Sequence, residues 1–285
     1  MRGYPPIPTA EDAAAGLFAS GHLWVTEKID GERLRVQLRD SGLLRVGTET
    51  AVYDDPDAVP TRYRHAVRHV RERLDRGALR GALDDVESVV LFGEATQKRT
   101  IEYDWERLPS FLGFDVWSAD EERFRPPDAV ERIYERLGLE SVPVVEREVH
   151  TRDFDPGSYA VPESAYYDGP AEGVVVRNKA GGRAKIVGPA VGSDGDPEPD
   201  PPEASAGAVA DRYVTERRLE RLASTLSDRG EAVTVEALYE RALEDVFRER
   251  HATLSRGDGV EAGAFREALA ARVRGFLDER RAGGE

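Results

Sequence analysis

Between residues 20 and 190 the sequence is a succession of short strand-forming runs broken by turn residues, and this rhythm restricts the fold more than any other feature. Trp24-Val25-Thr26 opens the series, and Leu34, Val36 and Leu38 follow in strict alternation. Leu43 to Thr48, Val89 to Glu94, Phe111 to Trp117, Val142 to Val149, Glu172 to Arg177 and Arg183 to Val187 continue it. Helical patterns between them are few. One is expected to start at Thr9 as cap, with Glu11 and Asp12 in its first turn, and to end near Ser20-Gly21. Thr61 to Leu83 places Tyr63, Val67, Val70 and Leu74 at helical spacing, and Pro126-Pro127 fixes the start of a short helix ending at Leu137. Many strands separated by short helices predict an α+β fold built on antiparallel sheets, not a parallel βαβ fold.

Composition then changes sharply. Gly192 to Gly207 is rich in Pro, Asp, Glu, Gly and Ser and offers nothing to pack a core. Beyond it come three helical patterns without a strand signal. The first carries Val209, Tyr213, Leu219, Leu222 and Leu226, the second Val235, Leu238, Ala242 and Val246, and the third Phe265, Leu269, Val273 and Phe276. The expected organisation is an antiparallel-sheet domain over 1–190, an acidic Pro-rich linker over 191–207 and a small all-α domain over 208–285.

Several classes are excluded. With no cysteine there is no disulfide, thiolate zinc site or thiol nucleophile. No apolar run approaches the roughly 20 residues needed to span a membrane, and Met1 to Pro6 has no signal-peptide core. The expectation is a soluble cytoplasmic protein. A net charge of -15 and only four lysines among 40 basic residues suggest adaptation to high intracellular salt. The acidity argues at first sight against a nucleic-acid partner. It does not exclude a local basic groove, and in high salt the gain from counterion release is small anyway.

The rarity of lysine draws attention to Lys28, between Trp24-Val25-Thr26-Glu27 and Ile29-Asp30-Gly31. The stretch reads as a hairpin, with Asp30-Gly31 as the turn and glycine admitting a positive φ. Lysine can lose its proton and act as a nucleophile, as arginine cannot; a local ion pair in the turn is the structural alternative. Four pieces share one property, a charged residue at the end of an apolar strand: Lys28-Ile29-Asp30-Gly31, Phe92-Gly93-Glu94, Glu172-Gly173-Val174-Val175 and Arg183-Ala184-Lys185. Singly each is weak. Their order and separations carry the information.

That set resembles the covalent nucleotidyltransferase superfamily of ATP-dependent ligases and capping enzymes. Lys28-Ile29-Asp30-Gly31 resembles its first motif, Phe92-Gly93-Glu94 the third, Phe114-Asp115-Val116-Trp117 the next, Glu172-Gly173-Val174-Val175 the fourth and Arg183-Ala184-Lys185 the fifth. The chain is most similar to RNA ligases of the second phage family and RNA-editing ligases, which also place glutamate before the lysine and carry a helical C-terminal domain. DNA ligases and capping enzymes follow the fifth motif with a β-rich OB domain, for which 191–285 offers no strands. The resemblance implies that Lys28 attacks the α-phosphate of ATP, giving lysyl-AMP and pyrophosphate. AMP would then pass to an RNA 5′-phosphate, and an RNA 3′-hydroxyl would attack that activated end. Lys28 must be neutral to attack, whereas a free lysine keeps its proton up to about pH 10. Partial burial, Lys185, Arg183 and a divalent cation would all favour release.

The same resemblance implies the other roles. Glu27 would contact adenine, Phe114 stack on it, and Arg33 and Glu94 hold the ribose, with Ile29 and Asp30 lining the nucleotide site. Glu172 and Glu94 would bind Mg²⁺ or Mn²⁺, and Lys185 and Arg183 would stabilise charge on the α-phosphate. A capping-type or DNA-ligase-type transferase and a non-catalytic nucleotide- or RNA-binding relative are the alternatives. Two departures stand out. The family presents an arginine after the third strand, often in a Ser-Arg pair, where this chain has Val46-Gly47-Thr48-Glu49-Thr50; Arg45 or Arg62 could take the role. The fifth motif has Arg183 in place of the first of two lysines. Elsewhere, His65 and His69 sit four apart as metal ligands can, but among arginines that indicate a solvated face. Gln97-Lys98-Arg99 reads equally as an RNA backbone contact or an exposed loop.

Overall fold

The computed structural model describes residues 1–188, 205–255 and 262–282. They fall in two units, one of Met1–Pro60 with Ala66–Asp196, the other of Thr61–His65 with Pro197–Glu285. The expected linker lies outside the described residues except at its end, where Ser205 caps a helix by accepting a hydrogen bond from Ala208 N.

In chain order the strands are β1 (His22–Lys28), β2 (Glu32–Leu38), β3 (Leu44–Gly47), β4 (Val52–Tyr53), β5 (Val89–Ala95), β6 (Phe111–Ser118), β7 (Arg123–Phe124), β8 (Val144–His150), β9 (Gly173–Asn178) and β10 (Arg183–Val187). They form two antiparallel sheets, ordered β10-β9-β1-β8 and β4-β3-β2-β5-β6-β7. The α+β architecture is therefore as expected, but the hairpin is not. β1 and β2 belong to different sheets, and Ile29 to Gly31 carries the chain from one to the other. The polar groups of that crossing are taken by the segment after β5. Asp30 N donates to Tyr103 Oη (2.9 Å), and Asp30 Oδ2 accepts from Thr100 N (2.7 Å) and Ile101 N (2.9 Å). Gly31 is absent from the positive-φ glycines. It is needed for close approach, since a Cβ there would lie 2.6 Å from Ala95 O and 2.7 Å from Glu94 Cγ.

Alternation sorts β1 into two faces. Leu23 and Val25 join Leu17, Phe154, Val174, Val176 and Ala184 in a core. Trp24, Thr26 and Lys28 point the other way. Pairing aligns them across three strands as Trp24–Arg177–Arg183, Thr26–Val175–Lys185 and Lys28–Gly173–Val187. In the second sheet Leu34, Val36 and Leu38 are buried, and Arg33 and Arg35 take the opposite face of β2.

The helix expected from Thr9 is reduced to α1 (Gly16–Ala19). Thr9 is held extended beside β10, where Lys185 N donates to Pro8 O (2.8 Å) and Ala10 N to Lys185 O (3.0 Å). Its hydroxyl caps only a turn, accepting from Asp12 N. Thr61 to Leu83 divides into α2 (Thr61–Arg73) and α3 (Arg76–Ala82), because Asp75 caps a new start by accepting from Ala78 N at 2.8 Å. In α4 (Pro127–Arg136) the fully buried Tyr134 reaches Phe92 O and Asp115 O with its hydroxyl at 2.8 and 3.0 Å. The helical unit carries α5 (Ala206–Tyr213), α6 (Glu216–Asp228), α7 (Val235–Ser255) and α8 (Ala262–Ala282), packed through Val209, Leu222, Leu238, Val246, Phe265 and Leu269. Four helices replace the expected three because Thr215 accepts from Arg218 N and starts a second helix within the first pattern.

Candidate active site

Lys28 closes β1 opposite Gly173, and this register brings its ammonium onto Glu172, one residue before β9, in a close ion pair. The lysine side chain stays 27 % exposed and the glutamate 11 %. Burial pushes the Glu172 carboxyl up, Lys28 pulls it down, Asp30 adds to the rise and Arg99 opposes it. Its second oxygen, Oε2, is buried without a hydrogen-bond partner. Such an orphan acceptor marks a place for a cation or donor that a ligand brings.

Glu94 comes from the other sheet, paired across β5 and β2 with Arg33. Burial raises its carboxyl to about 8; Lys28 and Arg33 pull it down, while Glu172 and Asp30 push it further up. The crossing at Ile29 to Gly31 thus joins a lysine and two carboxylates from two sheets. Among the described residues no group of three His, Cys, Asp or Glu side chains could hold a metal. Two carboxylates, one with an orphan oxygen, still fit Mg²⁺ or Mn²⁺, which take one or two carboxylates and complete their shell with phosphates and water. His65 is buried rather than on the solvated face expected of it, and His69 Nε2 lies 3.0 Å from Glu140 Oε2.

On the other side of the β1 end lies an apolar patch. Ile29 is buried with Ile101, Tyr103, Leu108, Leu112 and Val142, and Phe114, Tyr166 and Tyr167 pack partly exposed against them. Phe114 is re-aimed by a β-bulge: Phe92 pairs with Asp115 and Gly93 with Gly113, so Phe114 has no partner across the ladder. Glu27 is buried, accepting from Ser164 Oγ at 2.5 Å and Ala165 N at 3.1 Å. Burial raises its carboxyl and those two bonds hold it down. Both oxygens are thus engaged by a turn of the chain that the sequence reading did not single out. The signal was faint: Ser164-Ala165-Tyr166-Tyr167 offers only two adjacent tyrosines in a loop.

The fifth-motif pair divides. Lys185 shares the face of Lys28 by register, and its side chain has no ion pair among the described residues. Arg183 is placed differently from what was expected of it. Its guanidinium is bound to Asp115 Oδ2 at 3.1 Å and lies over the rings of Tyr4 (4.9 Å) and Phe124 (4.4 Å). Asp115 is wholly buried and also accepts from Arg177 Nη2 (2.8 Å) and Tyr4 Oη (2.9 Å). Both candidates for the family's missing arginine have local partners. Arg45 is paired with Asp54 at 2.6 Å, and Arg62 lies over the Tyr63 ring at 4.8 Å. The side chain over Gly47 is Arg35, whose Nε would be 2.7 Å from a Cβ there and whose Nη2 donates to Thr48 O at 2.6 Å. In the 97–99 segment Gln97 is fully buried, Lys98 pairs with Glu102 at 2.5 Å, and Arg99 donates to Gly31 O at 3.2 Å.

The RNA ligase family model matches residues 21–187, more than half of the chain and every strand of both sheets. The chain belongs to the RNA ligase family. Comparison with curated proteins returns no match. Among solved structures, a Naegleria gruberi RNA ligase mutant with ATP and Mn is similar at 17 % identity and a TM-score of 0.50, over 66 % of this chain and 57 % of that one. The same organism's RNA ligase with PPi is similar at 18 % identity and a TM-score of 0.50, over 66 % and 56 %. An archaeal ATP-dependent RNA ligase aligns with 99 % of this chain and 67 % of its own length, at 17 % identity and a TM-score of 0.46. This chain therefore spans little more than half the length of the Naegleria ligases, and at such identities the likeness concerns the fold.

Proposed function

We propose that this member of the RNA ligase family is an ATP-dependent enzyme that seals RNA 5′-phosphate and 3′-hydroxyl ends through a lysyl-AMP intermediate. The observation that carries the reading is the Lys28–Glu172 pair with its orphan carboxylate oxygen, faced by Glu94 from the second sheet. Lys28 Nζ forms the bond to the α-phosphorus of ATP as the bond to pyrophosphate breaks. Glu172, already on Nζ and made a better base by its burial, takes the proton the lysine gives up. Lys185, on the same face, meets the charge that develops on the α-phosphate. Glu172 and Glu94 would hold Mg²⁺ or Mn²⁺, which when bound neutralises phosphate charge. Adenine lies against Phe114 and the Ile29 patch, with Ile29 offering its backbone, Glu27 holding the 164–165 turn, and Arg33 and Glu94 at the ribose. Asp30 fixes the crossing that presents the lysine. Arg183 acts through Asp115 as a positioning residue.

The RNA-end steps follow: transfer of AMP to a 5′-phosphate, then displacement of AMP by a 3′-hydroxyl. We assign adenylylation to residues 1–190 and a part in placing RNA to the helices from Ser205 on. No helix among the described residues is long and apolar enough to cross a membrane; with the acidic composition this supports work in a salt-rich cytoplasm. Incubation with α-labelled ATP and Mg²⁺ in high salt tests the reading. An acid-labile adenylate is expected on the parent and none on Lys28→Ala, and label from GTP but not ATP would turn it toward a capping-type transferase. An unlabelled parent overturns it.

A further inference from the structure

The N-terminal segment is a part of the molecule that the proposed chemistry does not use, yet it is built against the residues assigned to the nucleotide. Tyr4 stands at its centre. Its ring has the guanidinium of Arg33 at 5.0 Å and that of Arg183 at 4.9 Å. It meets Phe114 edge-on, with centroids 5.0 Å apart and planes at 81°, and touches Phe92 at 5.1 Å and Phe124 at 5.3 Å. Its hydroxyl donates to Asp115 Oδ2 at 2.9 Å, the same oxygen that Arg183 binds.

The segment is anchored on both sides of this ring. Before it, Arg2 O accepts from Arg35 Nη1 at 3.1 Å and the Arg2 guanidinium lies 4.3 Å over Trp117. After it, Pro5, Pro6 and Pro8 restrict the backbone, and Pro8 and Ala10 bond to the backbone of Lys185. The strap therefore runs from the face of β2 and β6 to the edge strand β10, joining the sheet that carries Arg33 and Phe114 to the one that carries Lys185.

We infer that Tyr4 is a positioning residue for nucleotide binding, fixing the ring of Phe114 and the guanidinium of Arg33 in the orientation that receives the adenosine. The inference rests on the ATP-dependent reading above. Its chemistry is that of aromatic and cation–π contact: two cations and an edge-on ring converge on one π-system, and a non-aromatic side chain of similar volume supplies none of these. Because the contacts of Tyr4 run to Arg33, Phe114 and the Asp115 network, its loss acts on ATP binding and leaves the attack step alone.

Self-adenylylation rates against ATP concentration for the parent, Tyr4→Phe and Tyr4→Met test this. Tyr4→Met is expected to raise the KM for ATP about tenfold with the saturating rate within about threefold. Tyr4→Phe keeps the ring and is expected to restore the KM to within about twofold of the parent. An unchanged KM in Tyr4→Met, or a fall in saturating rate alone, overturns the inference. So does additivity of Tyr4→Met with Phe114→Leu, since residues acting through one another do not add. A second measurement needs no variant: hydrogen exchange over residues 2–10 of the parent should slow when α,β-methylene-ATP is added, and equal exchange with and without it also overturns the proposal. A parent that takes no label at all refutes the ATP-dependent reading instead, so the two failures are separable.

Discussion

Two buried carboxylates in the first unit are treated in opposite ways. Asp115 accepts from Arg177, Arg183, Tyr4 and its own neighbour Val116 N, with all four contacts between 2.8 and 3.1 Å. Glu172 has one partner, Lys28, and one oxygen with none. A buried polar atom left unpaired costs about 1–3 kcal/mol, so the fold tolerates at Glu172 what it removes at Asp115. The difference separates two tasks. Asp115 ties β6, β9, β10 and the N-terminal strap into one shape, whereas Glu172 keeps capacity for something that arrives and leaves.

The largest way to break this comparison is at Lys28. Lys28→Ala removes the proposed nucleophile and should abolish label from α-labelled ATP while the protein still unfolds cooperatively. If the variant labels as well as the parent, the half-paired carboxylate is a structural oddity and nothing more. Next comes Asp115→Ala, which leaves Arg177 and Arg183 buried without their counter-charge. Breaking a buried pair in this way costs about 3–5 kcal/mol, and here the side chains are 7 % and 8 % exposed. Urea unfolding should show that loss. A change below about 1 kcal/mol would mean that the network does not hold the sheets.

How far the sequence reveals these two carboxylates differs in the same way. The placing of Lys28, Glu94 and Glu172 at strand ends is legible from the apolar runs they adjoin, a pattern that survives without knowing which strands pair. The sheets are legible from short apolar or alternating runs bounded by turn residues, and β4 and β7, at two residues each, are too short to show one. The hairpin was misread because Asp30-Gly31 is a good turn signal, and nothing local says that Thr100, Ile101 and Tyr103 will bind Asp30. The contacts of Arg183 are not legible, because its motif position fixes a face of the sheet and not a partner. Its partner Asp115 lies 68 residues earlier, and the third member, Tyr4, stands in a proline-rich stretch with no periodicity. Long-range polar networks leave no trace in spacing.

Glu172→Gln sharpens the contrast from the catalytic side. Removing the base proposed for Lys28 should cost on the order of a hundredfold in rate or more, so adenylylation should fall by at least about that factor. Stability should change by less than about 1 kcal/mol, because Lys28 is partly exposed and can turn to water. A variant that is destabilised as much as Asp115→Ala would erase the distinction between the two sites.

A slope in stability with pH reads the half-paired site directly. Burial holds the proton on Glu94 up to about 8 in the folded protein, well above the usual carboxylate range near 4.5. Between those values the folded state binds more protons than the unfolded one, so stability falls as pH rises through the window. This is the reverse of a salt-bridged carboxylate, whose contribution is lost as pH falls. Glu94→Gln carries a neutral amide at every pH and should lack this component. Melting temperatures at pH 5.5 and 8.5 for parent and variant isolate it, since all other titrating groups are common to both. The parent should lose more on going to pH 8.5 than the variant does. Parallel curves would show that Lys28 and Arg33 neutralise Glu94 in full, and the site would then be as well paired as the one around Asp115.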